Sequence, residues 1–71
     1  MFGDEPAKVL RMRPFGLHGL TYWDVSVEYA DGRTEDARLG PEGVPAGIEV
    51  GDDVMVKRAA MIVIGIEPIS T

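Results

Sequence analysis

His18, the one histidine of the chain, carries the side chain best suited to acid–base chemistry near neutral pH. It stands between Leu17 and Gly19, in a segment punctuated by glycines. Catalysis requires a mutually positioned set of groups, and the neighbouring sequence offers neither a nucleophile nor an orienting carboxylate. The sequence therefore assigns no catalytic residue, and an enzyme that uses His18 is a remote hypothesis.

Metal and cofactor chemistry finds little support in the residue types. The chain has no cysteine and one histidine, so cysteine-based metal sites and histidine clusters are excluded. Its densest acidic group is Glu49, Asp52 and Asp53, but a calcium site wraps about six to eight oxygen ligands around the ion. A solvated turn is the preferred interpretation of this group. The glycines match neither a phosphate-binding loop nor a dinucleotide fingerprint, and we predict no metal and no cofactor.

Arginines and aromatic residues near the start of the chain form a second chemical group. On a strand, Arg11 and Arg13 share a face. With Phe15 and Tyr22 nearby, they could offer a stacking surface for single-stranded nucleic acid. The net charge of −5 and the absence of a basic tract make nucleic acid an unlikely partner. We prefer the interpretation that these arginines pair with acidic residues across the sheet.

Apolar residues outside the predicted core make protein binding the leading functional hypothesis. They occur in the segment before the second strand and on the terminal hairpin. An exposed apolar patch of this kind marks an interaction site. The predicted partner is an unidentified protein or a second copy of the chain. The candidate interaction residues are Phe15, Leu17, Tyr22, Met55, Met61 and Val63.

A β-hairpin is the clearest structural element in the sequence. Residues 22–29 alternate bulky apolar and mostly polar side chains, which is typical of a half-buried strand, with Trp23 and Tyr29 on the apolar face. A three-residue loop over 30–32 sets Trp23 opposite Leu39 and keeps apolar residues on one face. This register requires Gly32 in the left-handed conformation of a bulged turn. We therefore expect Gly32 to be the special residue of the turn, with Trp23 and Tyr29 in the core.

The remaining elements follow from period-two patterns and from glycine and proline turn signals. We predict strands at about 7–13, 22–29, 33–39, 53–58 and 61–67. Residues 1–6 are expected to fray, and residues 15–21 to form a loop that fills an open end of a barrel. A short 3₁₀ turn is expected near residues 41–47. The predicted fold is an all-β, five-stranded SH3-like barrel, with an OB-like barrel as the alternative.

Two questions of strand phase stay open at the level of sequence. In the first strand, Leu10 and Met12 can share one face with Val9 on the other, so the buried side is not defined. In the last strand, residues 62, 64 and 66 are isoleucines that share a face. A connection of odd length around residues 59–60 would place this face with the buried valines of the preceding strand, and we prefer that arrangement.

Composition limits the class of protein. The chain of 71 residues allows one domain, covering residues 1–71, and its 45% hydrophobic and 27% charged residues are ordinary for a globular domain. No apolar run approaches the roughly 20 residues of a membrane span. The first residues lack the basic and apolar regions of a signal peptide, so the expected location is the cytoplasm. The absence of Asn and Gln and the preference for Arg over Lys suggest a bacterial source.

The last part of the chain has the pattern of a closing hairpin. An apolar residue precedes Gly51-Asp52, then come Val54 and Val56, and residues 62–68 are Ile-Val-Ile-Gly-Ile-Glu-Pro. This pattern resembles the closing hairpin of many small β-barrel modules, including the OB-like domain of NfeD-type proteins. The resemblance covers residues 50–68 and includes no residue that is diagnostic of one family. It implies a closing hairpin and assigns no function.

Overall fold

A computed structural model describes residues 2–69, in which five antiparallel strands form one sheet in the order β3-β2-β1-β4-β5. The strands are β1 (Phe2–Leu17), β2 (Leu20–Tyr29), β3 (Thr34–Leu39), β4 (Asp53–Ala59) and β5 (Ile62–Pro68). Within these residues, one 3₁₀ turn spans Pro41–Gly43. The predicted all-β class, the five strands and the short 3₁₀ turn are confirmed.

Strand β1 joins the two halves of the sheet. Its first part pairs with β4 from residue 2 to residue 8, and its later part pairs with β2 from residue 7 to residue 17. Pro6 and Pro14 lie where β1 has only one neighbouring strand, so their missing N–H groups leave no ladder bond unmade. The expectation that residues 1–6 fray is wrong for residues 2–6; residue 1 lies outside the described range. The polar side chains of residues 2–6 are exposed or half-buried, but the backbone is ordered in a strand. Asp4 also accepts a hydrogen bond from Lys57 at 2.8 Å.

A β-bulge at Leu10 defines the phase of β1. Val9 pairs with Val27 and Arg11 pairs with Ser26, so Leu10 is an extra residue in the ladder. The bulge places Val9 in the core and allows residue 12 to pack against the core as well, while Leu10 is exposed. A regular strand could not have placed residues 9 and 12 on one face.

The hairpin of β2 and β3 has the predicted register. Trp23 pairs with Leu39, and the backbone N–H of Tyr29 donates to the carbonyl oxygen of Arg33 at 2.8 Å. Gly32 has φ +90° and donates its N–H to the carbonyl oxygen of Tyr29 at 3.0 Å. The three-residue loop with a left-handed glycine is confirmed.

Residues 15–21 do not fill a barrel end, and this expectation is wrong. Strands β1 and β2 continue to Leu17 and Leu20, and a two-residue turn of His18 and Gly19 joins them. Both turn residues have positive φ, 52° and 76°, as a type I′ turn requires. The segment is the exposed end of a long hairpin.

The sheet curls without closing. The edge strands β3 and β5 approach each other but form no ladder within residues 2–69. The 3₁₀ turn covers the seam between them, because the backbones of Gly43 and Gly65 are in contact there. A Cβ built on Gly65 would lie 3.2 Å from the carbonyl oxygen of Gly43. The described residues therefore form an open, curled sheet rather than a closed barrel.

The core lies inside the curl and is apolar. None of the described residues is both buried and polar or charged. Tyr29 is buried, as predicted, whereas Trp23 is half-buried and packs against the core from its margin. The buried apolar residues are Ala7, Val9, Val25, Val27, Tyr29, Leu39, Val44, Val54, Val56 and Ile66.

The β4–β5 hairpin contains a second register shift. Val56 pairs with Ile66 in the core, but the ladder shifts by one residue between Lys57 and Arg58. The expected shared isoleucine face is therefore correct only for Ile66, and residues 62 and 64 are exposed. Along the part of the chain that is described, no helix has the length and apolarity needed to cross a membrane.

Candidate binding surface on the β1–β2 hairpin

Two cross-strand pairs of apolar side chains form a surface at the free end of the β1–β2 hairpin. Phe15 pairs directly with Tyr22, and Leu17 pairs directly with Leu20, so the four side chains share one face of the sheet. We call these four residues the hairpin surface. Leu17 and Leu20 are 46% and 50% exposed, and the two aromatic residues are half-buried. Three of the six candidate interaction residues, at positions 15, 17 and 22, therefore lie together.

The aromatic pair of the hairpin surface is ordered by an arginine. The rings of Phe15 and Tyr22 are stacked, with centroids 5.7 Å apart and planes at 26°. The guanidinium of Arg38, on β3, lies 4.6 Å from the centroid of the Phe15 ring, within cation–π range. Arg38 also donates from Nε to Oδ1 of Asp24 at 3.0 Å. Phe15 thus contacts both the Tyr22 ring and a guanidinium that Asp24 holds in place.

Arginines border the hairpin surface along the same face. Arg11 lies opposite Ser26 and Arg13 lies opposite Asp24 in the β1–β2 ladder. The hydrogen bond from Arg38 lowers the pKa of Asp24 below its ordinary value, and the nearby charges of Arg13 and Arg11 lower it further. The structure therefore brings the four residues of the nucleic-acid hypothesis, at positions 11, 13, 15 and 22, onto one face.

The expected ion pairs of Arg11 and Arg13 are not seen. Among residues 2–69, neither guanidinium lies within 4.0 Å of a carboxylate oxygen. Asp24 is engaged by Arg38 instead, and the nearby Asp36 carboxylate accepts a hydrogen bond from Ser26 Oγ at 2.6 Å. Two positive charges on this face are left available to a partner.

The other three candidate interaction residues do not form one surface. Met55 lies between two buried valines of β4, on the opposite face of that strand, and is half-buried. Val63 packs against the core, because the register shift of this hairpin turns it inward. Met61 stands exposed at the turn, and its exposed apolar neighbours are Ile62 and Ile64.

Sequence reasoning missed Leu20 and Arg38. The glycines of residues 15–21 predict a loop that contains Leu20, and His18-Gly19 is not one of the usual Asn-Gly or Asp-Gly turns that signal a tight hairpin. A two-residue turn would have paired Leu17 with Leu20 and revealed their common face. Arg38 on β3 lies two strands across the sheet from Phe15 on β1, and no local pattern signals their contact.

A polar cluster connects strands β2, β3 and β4. The hydroxyl of Tyr29 on β2 donates to Glu35 Oε1 on β3 at 2.6 Å. Arg58 on β4 donates from Nη1 to Glu35 Oε2 at 3.2 Å, from Nη2 to the Tyr29 hydroxyl at 2.9 Å, and from Nη2 to Glu35 Oε1. Strands β3 and β4 are not neighbours in the sheet, so this cluster bridges the curl.

The electrostatics of this cluster suit a structural tie rather than proton transfer. Burial raises the pKa of Tyr29 to about 12, and its hydrogen bond to Glu35 adds to the effect. The hydrogen bond from Arg58 lowers the pKa of the Glu35 carboxyl. A general base is most effective when its pKa lies near the working pH, and neither group meets that condition.

The remaining chemically interesting residues lie apart from one another. His18 is exposed at the hairpin turn with φ 52°. The N–H of Glu49 donates to Asp52 Oδ2 at 2.9 Å, within the acidic turn. Over residues 2–69, no three His, Asp or Glu side chains are grouped so that they could hold a metal ion.

No family model, no curated protein and no solved structure matches the chain. The function must therefore be inferred from the surface itself.

Proposed function

We propose that this chain is a small non-catalytic β module that binds a protein through its hairpin surface. The observation that carries this proposal is the pair of apolar cross-strand contacts, Phe15 with Tyr22 and Leu17 with Leu20, on the outer face of an exposed hairpin. A group of apolar side chains that remains in water after folding marks an interaction site.

The composition of the surface supports a protein partner. Tyrosine, phenylalanine and arginine are enriched where protein interfaces are energetically strongest. Phe15, Tyr22 and Arg38 are already stacked on strands, so little side-chain entropy would be lost when a partner binds. Leu17 and Leu20 would supply apolar area at the exposed end.

We also propose that the fold is OB-like. The open seam between β3 and β5 favours the OB-like alternative, which is a partly open five-stranded barrel, over the SH3-like barrel predicted first. In either class the chain is a scaffold, and its function depends on the residues that it displays.

The test compares two surface changes that each introduce the same negative charge. Leu20→Glu places a charge in the hairpin surface, and Ile62→Glu places the same charge on an exposed isoleucine of another hairpin. With the tagged chain as bait in an extract of its native cells, we expect Leu20→Glu to lose the captured protein at least about tenfold, because a buried unpaired charge is costly. Ile62→Glu should capture it normally. Equal capture by both variants would contradict the proposal.

Single-stranded nucleic acid is the second candidate ligand of the same face. The stacked rings of Phe15 and Tyr22, with the guanidinium groups of Arg11 and Arg13, which have no ion-pair partner among residues 2–69, beside them, are the features that such ligands need. The net charge of −5 opposes this candidate. Fluorescence anisotropy with mixed-sequence oligonucleotides at low salt decides the matter. Binding that weakens steeply with salt would favour nucleic acid, and no binding would remove this candidate.

A further inference from the structure

A groove lies at the opposite end of β1 and β2 from the hairpin surface. Its volume is about 660 Å³, and it has apolar and acidic walls. Ala7 pairs with Tyr29 at this end of the ladder, and Leu17 pairs with Leu20 at the other. Ten residues of strand separate the two ends of the β1–β2 ladder, roughly 30 Å in a molecule whose longest dimension is 36 Å. We call this cavity the acidic groove; its lining includes Pro6, Lys8, Glu28, Asp52, Asp53 and Ile69.

The acidic groove carries an excess of negative charge. Three carboxylates, those of Glu28, Asp52 and Asp53, face one ammonium group, that of Lys8. Lys8 Nζ lies 3.9 Å from Asp53 Oδ1, and their side chains are 55% and 70% exposed, so this loose pair contributes little. Ile69, which is 36% exposed, forms part of the apolar wall of the groove.

The charged residues that border the hairpin surface have a net charge of the opposite sign. Three arginines on its face, Arg11, Arg13 and Arg38, stand against the two carboxylates of Asp24 and Asp36. Each end of β1–β2 thus combines apolar side chains with charge, and the two ends differ in sign. Charge complementarity of this kind selects one partner and orientation over others.

We propose that the hairpin surface binds the acidic groove of a second copy of the chain, head to tail. This inference rests on the proposed function and names its partner. A contact between two hairpin surfaces is disfavoured, because it would bring together two faces of like sign, with six arginines against four carboxylates. A head-to-tail contact leaves one free hairpin surface and one free groove on each dimer, so it continues into a ring or a filament.

Sedimentation velocity of the full chain over a range of concentrations tests the proposal with two variants. Leu20→Glu alters the hairpin surface, and the double variant Glu28→Lys, Asp53→Lys reverses the rim of the groove. All three side chains are exposed, so none of the changes enters the core. Far-ultraviolet circular dichroism would verify folding, and Leu17→Glu serves as a second hairpin variant.

We expect the unmodified chain to assemble as its concentration rises, more weakly at high salt, and each variant alone to associate at least about tenfold more weakly. An equimolar mixture of the two variants should form a one-to-one dimer, since one intact hairpin surface then meets one intact groove. A chain that stays monomeric, or a mixture that does not form this dimer, overturns the inference.

The outcomes separate this inference from the proposed function. If the unmodified chain is monomeric while Leu20→Glu still abolishes capture of another protein, the head-to-tail contact is wrong and the binding surface stands. If Leu20→Glu changes neither assembly nor capture, both are wrong.

Discussion

The backbones of Gly65 and Gly43 are in contact across the seam of the sheet, and Gly65→Ala tests how much this contact stabilises the fold. The new Cβ would lie 3.2 Å from the carbonyl oxygen and 3.4 Å from the Cα of Gly43. These are backbone atoms, so the 3₁₀ turn itself would have to move. Overpacking of this kind costs about 1–3 kcal/mol.

The unfolded chain offsets part of that cost. Replacing glycine by alanine restricts the unfolded state and stabilises a protein by about 0.4–1 kcal/mol where the native site accepts the Cβ. The net effect of Gly65→Ala should therefore be a loss of about 1–2 kcal/mol. Gly3→Ala is the matched control, because Gly3 also lies in a strand and its Cβ would meet nothing within 4 Å. This control should be neutral or slightly stabilising.

Urea unfolding followed by the fluorescence of Trp23, the one tryptophan, gives both free energies. The difference between the two variants should be at least about 1 kcal/mol, since only one of them crowds the seam. Equal stability of Gly65→Ala and Gly3→Ala would show that the 3₁₀ turn does not rest on β5, and the described covering of the seam by this turn would be wrong.

Two further substitutions test other parts of the scaffold. Glu35→Gln removes the carboxylate that Arg58 and Tyr29 share and should cost about 1–2 kcal/mol at neutral pH. Arg58 lowers the pKa of Glu35 from its ordinary 4.5, so this stabilisation is complete above that pH and is lost as the pH falls through the lowered pKa. Urea unfolding at several pH values measures this stabilisation. A stability difference between Glu35→Gln and the unmodified chain that persists in acid would contradict the role of the Glu35 carboxylate. Gly32→Ala should cost about 1 kcal/mol or more in the same assay, because φ at this turn is +90°; an unchanged stability would refute the left-handed turn.

The β2–β3 hairpin could be predicted because its information is local. Alternation of residues 22–29 defined the buried face, and the position of Gly32 chose the loop length. One wrong step in register would have moved every side chain to the other face, so the apolar pattern allowed only one solution.

The bulges could not be predicted in the same way. The extra residue at Leu10 changes the phase of β1, and the shift beside Arg58 separates Ile66 from Ile62 and Ile64. A bulge follows from packing against strands distant in sequence, so the local pattern shows only an ambiguous phase. For this reason the structure does not bring Met55, Met61 and Val63 onto one surface, since Val63 packs against the core.

The pairing of residues 2–6 also escaped the sequence. Asp4 and Glu5 suggest a solvated lead, but their carboxylates bond Lys57 on β4 and Arg33 after the β2–β3 turn. These contacts are distant in sequence, so composition indicated the exposure of the side chains and not the pairing of the backbone. Part of the hairpin surface could be predicted, because Phe15, Leu17 and Tyr22 are apolar or aromatic residues outside the predicted core. Leu20 could not, because its place on this surface depends on an unusual two-residue turn.

Site-specific photo-crosslinking tests the hairpin surface most directly. A photoreactive amino acid placed at Leu20 should give a discrete protein adduct, with a partner or with a second copy of the chain. The same amino acid at Ile62, which is 67% exposed on another hairpin against 50% for Leu20, should not give that adduct. Identical adducts from both positions, or none from the position of Leu20 in the folded chain, would contradict the assignment of this surface as the binding site.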